Sequence, residues 1–202
     1  MTSVSQTPLP SGRQHVLELG DQRAVVAAVG ASLREYTVGG RDVVLPYPQD
    51  AIAPAFSGMV LAPWPNRLCD GQYEYAGTTY DVPLNEHDRQ NALHGLISHI
   101  TFSTVDESAT SVAVEHTIVP TTGYPWPVRV RVTYSLSDAG LRVQTDVTNL
   151  GTASAPFGLG FHPWLSPGDG VVDDATLQVD AALHVTVDAR WFTGPPPPGG
   201  PR

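Results

Sequence analysis

The sequence is poor in cysteine, in basic residues and in long apolar runs. Its single cysteine, Cys69, cannot close an internal disulfide, which excludes a disulfide-stapled fold and fits a reducing, cytoplasmic compartment. Lysine and arginine together number 11 against 20 aspartates and glutamates, a formal net charge of −9. That balance argues against nucleic acid or an anionic membrane as a partner. The most apolar stretch, residues 24–31, is far too short to span a bilayer. Residues 1–14 hold no apolar core preceded by basic residues, which argues against a signal peptide. No Gly-x-Ser-x-Gly elbow accompanies the lone Cys69, so nothing points to nucleophilic catalysis. Gly158-Leu159-Gly160 runs into Phe161-His162-Pro163 rather than into a helix start, so it is no phosphate cradle. His87, His94 and His99 match no metal-ligand spacing and no cysteine pair joins them, so no metal is expected. No window of helical length keeps the apolar period of a surface helix, and no repeat recurs at a fixed period.

What the chain does have is punctuation. Glycine and proline number 19 each and divide it into short segments, as in a β-rich protein with many turns. Residues 128–136 place an apolar residue at every second position, the pattern of a strand with one buried face. Residues 141–147 repeat the alternation, and Ser137-Asp138-Ala139-Gly140 joins the two as an antiparallel hairpin. Val112, Val114, His116 and Ile118 mark another alternating face. Residues 73–75 and 78–80 flank Ala76-Gly77 as a small hairpin, and residues 24–29 and 33–38 flank Gly30 as paired strands. The predicted fold class is all-β, an antiparallel β-sandwich with long loops. With an apolar fraction of 41%, it has material for a sizeable core.

The domain reading has three parts. Residues 1–14 are expected to be a flexible N-terminus, residues 15–190 a β-sandwich domain, and residues 191–202 a disordered Pro/Gly-rich tail. The four prolines Pro195–Pro198 cannot donate to a sheet ladder, so the sheet must stop before them. A tail of this kind, soon after a strand expected at residues 182–187, reads as a sandwich incomplete at its C-terminus.

Three turn-rich segments hold the candidate site. Histidine is the side chain that titrates nearest neutral pH, and His94 and His162 each stand beside glycine or proline. A lone turn histidine is more often bonded to backbone than catalytic. His94, between Asn91 and Gly95, occupies a tight polar loop, and His162 lies between the apolar walls Phe161 and Trp164 and is stiffened by Pro163, which suits a pocket rim. The other five histidines, His15, His87, His99, His116 and His184, carry no such signal. In the third segment, prolines on both sides of Trp64 fix an extended path, and Asn66 and Arg67 follow with several donors. Arg67 has a bland alternative, pairing with Asp70. A rigid tryptophan beside polar forks fits a sugar, whose C–H face packs on the ring while the forks take its hydroxyls.

These segments together resemble the aldose 1-epimerases, or galactose mutarotases. The resemblance rests on Pro63-Trp64-Pro65-Asn66-Arg67, Asp70-Gly71-Gln72-Tyr73, Leu84-Asn85, Asn91-Ala92-Leu93-His94-Gly95 and Gly160-Phe161-His162-Pro163-Trp164, in order and across residues 20–187. It implies a galactose mutarotase-like β-sandwich. It implies interconversion of the α and β anomers of free aldohexoses by acid/base ring opening, with a small-molecule sugar as the partner and no cofactor or metal. An acid and a base poised near neutral pH serve both directions, because ring closure reverses their roles. By the resemblance, His162 is the general acid, His94 holds and polarises the sugar near its ring oxygen, and Arg67 binds a hydroxyl. Asn66, Trp64 and Trp164 complete the expected sugar contacts. The family's general base is a glutamate farther along than this chain reaches, and neither Glu107 nor Glu115 stands in the matching region. Loss of a general base costs about 10²–10⁴-fold in rate, so reduced or absent turnover is expected. The alternatives are a noncatalytic carbohydrate-binding module, a nonfunctional fragment, and a hexose-6-phosphate epimerase. The last ranks lower because only Arg67 and Arg89 lie near the site.

Overall fold

The computed structural model describes residues 8–182 and 186–187; the tail at 191–202 and the middle of the strand expected at 182–187, residues 183–185, lie outside the described residues. The first sheet is a four-stranded antiparallel meander of β1 (Gln14–Leu19), β2 (Gln22–Ala27), β3 (Ser32–Val38) and β4 (Arg41–Val44). Short segments follow: β5 (Val60–Leu61), β6 (Arg67–Cys69), β7 (Gln72–Tyr75), β8 (Thr78–Asp81) and β9 (Asn91–Leu93). The second four-stranded sheet is β10 (Ser103–Glu107), β11 (Ser111–Ile118), β12 (Val128–Ser137) and β13 (Gly140–Asn149), in that order. Last comes β14 (Gly160–Phe161), which pairs antiparallel with β5. Every strand pair is antiparallel, and no α-helix occurs among the described residues.

The two large sheets share one core. Leu17, Ala24 and Val26 from the first sheet meet Val112, Val114, Val130, Val132 and Tyr134 from the second, all fully or almost fully buried. Each buried aliphatic side chain of this kind contributes about 1.5–3 kcal/mol over its exposed state. The alternation read along residues 128–136 is realised in full: Val128, Val130, Val132, Tyr134 and Leu136 point inward and the residues between do not. Tyr134 also donates its hydroxyl to the Ala31 carbonyl at 2.6 Å, tying the second sheet to the β2–β3 corner. The 137–140 hairpin forms as expected, with Ser137 opposite Gly140.

One expectation is corrected. The alternation along residues 141–147 does not bury a face: Val143 is 37% and Val147 41% exposed. The reason is position, since β13 is an edge strand of its sheet among the described residues. Period-2 patterning reports which residues share a face; it does not report what covers that face.

Candidate functional site

The site is built from two short ladders, β6 with β9 and β14 with β5, and the loops that leave them. β6 pairs with β9, setting Arg67 opposite Leu93. Beyond this pairing the His94 N–H donates to the Asn66 carbonyl at 2.8 Å, and the Asn66 N–H donates back to Nδ1 of His94 at 3.1 Å. Both residues are left-handed, Asn66 at φ 60° and His94 at φ 64°. Gly95, at φ 78°, approaches Ala62 so closely that a Cβ would collide with the Ala62 carbonyl, which instead accepts the Leu96 N–H at 2.7 Å. Only glycine fits there.

His162 arrives from the other direction on the β14–β5 ladder. Its N–H donates to the Met59 carbonyl at 3.1 Å, and its own carbonyl accepts the Gly58 N–H at 2.8 Å. The outcome is a pair of imidazoles with ring centroids 5.1 Å apart, edge to face. Nδ1 of His162 accepts the Trp164 indole N–H at 3.3 Å. With Nδ1 of each ring accepting, each neutral imidazole carries its proton on Nε2. Burial, followed by the neighbouring His162 and Arg67, lowers the His94 pKa to about 4 against the opposing pull of Glu86. His94 is therefore a neutral hydrogen-bond donor at pH 7. His162 and Trp164 line a cleft of about 790 Å³ together with Leu45, Leu165 and Val171.

Arg67 is fixed by a residue the sequence reading did not single out. Its Nε and Nη2 both donate to the carboxylate of Glu86 at 2.7 Å, and Nη1 donates to the Asn66 side chain at 2.8 Å. The Arg67 and Glu86 side chains are only 11% and 12% exposed. Glu86 also accepts from Asn91 at 2.8 Å and Arg89 at 3.1 Å. Arg67 first, and then Asn91 and Arg89, hold its carboxyl at about 2, although burial pushes the other way. A two-pronged guanidinium–carboxylate pair is both strong and directional. One signal was available: a half-buried arginine requires an anion, and Glu86 is the loop carboxylate directly after Leu84-Asn85.

Of the sequence-expected residues, the structure brings together His94, His162, Asn66, Arg67 and Trp164. Trp64 meets the His94 segment through its backbone neighbours. Its indole N–H donates to the Ala92 carbonyl at 3.3 Å. Its ring borders two cavities of about 220 Å³ each, one with Tyr73, Tyr124 and Phe157 and the other with Asn85, Leu96 and His99. Two residues not singled out belong to the cluster. The Phe56 ring lies 4.8 Å from His94, 5.0 Å from His99 and 6.4 Å from His162. Among the described residues no group of three or more His, Cys, Asp or Glu is arranged to hold a metal ion, and no helix is long and apolar enough to cross a membrane.

The sequence model of the aldose 1-epimerase family matches residues 14–195. The chain is 38% identical over 179 residues to the uncharacterized protein YihR of Escherichia coli (strain K12), covering 88% of this chain and 58% of that one. Its fold is similar to that of the GalM/aldose epimerase homologue from C. elegans, with a TM-score of 0.73, 21% identity, and coverage of 90% and 60% of the two chains. It is also similar to a galactose mutarotase-like protein from Lactobacillus casei ATCC 334, with a TM-score of 0.62, 26% identity, and coverage of 75% and 49%. The chain thus spans between 49% and 60% of the length of these relatives. With nine-tenths of its residues under one family match and an all-β antiparallel fold to go with it, the chain belongs to the aldose 1-epimerase family.

Proposed function

We propose that these residues form the acid-bearing, sugar-holding part of a site that interconverts the anomers of free aldohexoses. One observation carries the reading: two imidazoles 5.1 Å apart, each accepting at Nδ1, so that each neutral ring keeps Nε2 as its donor. Two titratable groups in unlike environments divide the acid and neutral roles between them. His94 is held neutral by burial and by His162, so it hydrogen-bonds the sugar near its ring oxygen without surrendering a proton. His162 then protonates the ring oxygen as the C1–O bond opens. The O1 proton leaves to a base that these residues do not supply, the open aldehyde turns about C1–C2, and the ring oxygen re-adds to the opposite face of C1, returning its proton to His162 while the base returns one to O1. Arg67, locked by Glu86, and Asn66 bind hydroxyls from a fixed direction. No metal or cofactor enters these steps.

The test has two arms on the 202-residue protein. Histidine NMR during a galactose or glucose titration should shift both the His94 and His162 resonances. Polarimetry on freshly dissolved α-D-glucose should show any acceleration abolished by His162→Asn. Binding without acceleration favours a noncatalytic sugar-binding role for these residues. Absence of both binding and acceleration overturns the reading.

A further inference from the structure

The turn from Pro54 to Met59 has no part in the chemistry above, yet it touches both histidines. Ala55 and Phe56 are consecutive non-glycine residues with positive φ, 42° and 61°, a conformation that side-chain-bearing residues rarely adopt and that persists only where the surroundings impose it. The surroundings do so here. The Ser57 N–H closes the turn on the Pro54 carbonyl at 2.8 Å, and the Met59 N–H closes on the Phe56 carbonyl at 3.0 Å. The Ser57 carbonyl accepts the buried Ser32 hydroxyl at 2.9 Å, and Ser32 in turn accepts the Tyr47 hydroxyl at 2.9 Å. Gly58 packs so tightly on Leu33 that a Cβ would collide with its carbonyl.

This rigid turn makes two independent contacts with the histidine pair. Its backbone grips His162 at both ends, through Gly58 N–H to the His162 carbonyl and Met59 carbonyl to the His162 N–H. Its one aromatic side chain, Phe56, stands edge-on to His94, tilted toward His162, and against His99 on a further side. We propose that the Pro54–Met59 turn is a positioning element for the reaction, with Phe56 as the spacer that sets the separation of the His94 and His162 rings and keeps water from between them. The strained turn aims Phe56 where an unstrained one would not, in keeping with the clustering of strained backbone at functional sites. Phe56 is a positioning residue, acting through the imidazoles rather than on the sugar's reacting atoms.

The inference rests on the reading of His94 and His162 given above, but its test needs no sugar. The groups facing His94 are His162, Arg67 and Glu86, with His99 beyond Phe56. The protein labelled with ¹⁵N-histidine is titrated as wild type, Phe56→Leu, Phe56→Ala and Phe56→Tyr. In wild type the His94 ring stays neutral down to about pH 4. Phe56→Ala should raise that midpoint toward the ordinary 6.5 and remove the ring-to-ring NOE between His94 and His162. Phe56→Leu should move it less, and Phe56→Tyr should restore the wild-type titration. His116, also lowered by burial but packed on Phe102 and far along the sheet, is the internal control and should not move. If Phe56→Ala does not fold, Phe56→Leu against Phe56→Tyr carries the comparison. An unchanged His94 midpoint in a folded Leu or Ala variant overturns the proposal, as does a shift of His94 and His116 together, which would mark general loosening. Failure of the sugar assays with these titrations as expected would remove the enzymatic reading while leaving the positioning role intact.

Discussion

Nε and Nη2 of Arg67 share one carboxylate, and that carboxylate carries Arg89 and Asn91 as well. A buried ion pair is weak evidence of net stability, because desolvation of both charges offsets their attraction. Removing one member is another matter, since it leaves an uncompensated buried charge at a cost of about 3–5 kcal/mol. Glu86→Ala is therefore expected to destabilise the fold by that amount, read as a lowered midpoint in urea. Glu86→Gln, which keeps the shape and two-pronged acceptance in part, should cost less. If Arg67 binds a hydroxyl, both variants should also weaken sugar binding, because the guanidinium loses the partner that fixes its direction. Equal stability of wild type and Glu86→Ala would show that Arg67 and Arg89 find other anions at no cost.

At the scale of elements, the site depends on loops whose backbone conformations allow few residue types. Gly95→Ala forces a Cβ into the Ala62 carbonyl at φ 78°. Backbone strain of that kind costs about 1–3 kcal/mol, and the collision adds to it. The expected result is a lowered thermal midpoint together with a changed His94 resonance, since His94 directly precedes the displaced residue. The same loops show what the sequence could and could not disclose. The 128–136 and 141–147 strands were legible because their side-chain period is intrinsic to the chain. His94 and His162 were legible because glycine and proline beside them restrict the backbone to loop conformations. Phe56 was not, because an aromatic between Pro54 and Gly58 has no local mark of which distant rings it will meet. His15 was missed for a related reason. It looked like a histidine in mixed surroundings, yet it is fully buried, with Nδ1 on Glu107 at 2.8 Å and Nε2 near the Thr104 hydroxyl at 3.3 Å. Its partners lie on β10, so only the pairing of sheets creates its environment. The open face of β13 is the converse case: the local pattern was right, and the packing it usually implies depends on what lies opposite.

Across the whole molecule, the histidines and carboxylates that fold into shifted environments shift the same way, downward, while buried tyrosines shift upward. Burial lowers His94 to about 4 and also lowers His99 and His116. Hydrogen bonding by Arg67 lowers Glu86 to about 2, and bonding by His15 lowers Glu107. For each of these histidines and carboxylates the unfolded chain binds protons at a higher pH than the folded one does. Stability therefore rises with pH across each interval between folded and unfolded pKa values, and falls as pH is lowered through it. The histidines act first: their contribution is complete above the ordinary imidazole pKa of 6.5 and is lost progressively toward pH 4. The carboxylates act next, complete above 4.5 and lost toward pH 2. The expected profile is a thermal midpoint that is level from pH 7 to about pH 9, below the range where the buried tyrosines titrate, declines from pH 6.5 to pH 4.5, and declines more steeply below that. For a chain of this size each kcal/mol lost lowers the midpoint by about 2–4 °C, so the slope is measurable by calorimetry at half-unit steps. His94→Gln separates the two limbs. Without that imidazole the unfolded state gains one proton fewer near pH 6, so the first limb should become shallower, leaving the share of His99 and His116, while the second, which belongs to Glu86 and Glu107, remains. A midpoint that stays constant from pH 7 to pH 4 in wild type would mean that His94 charges freely in the folded protein, and a neutral donor beside His162 would then be ruled out.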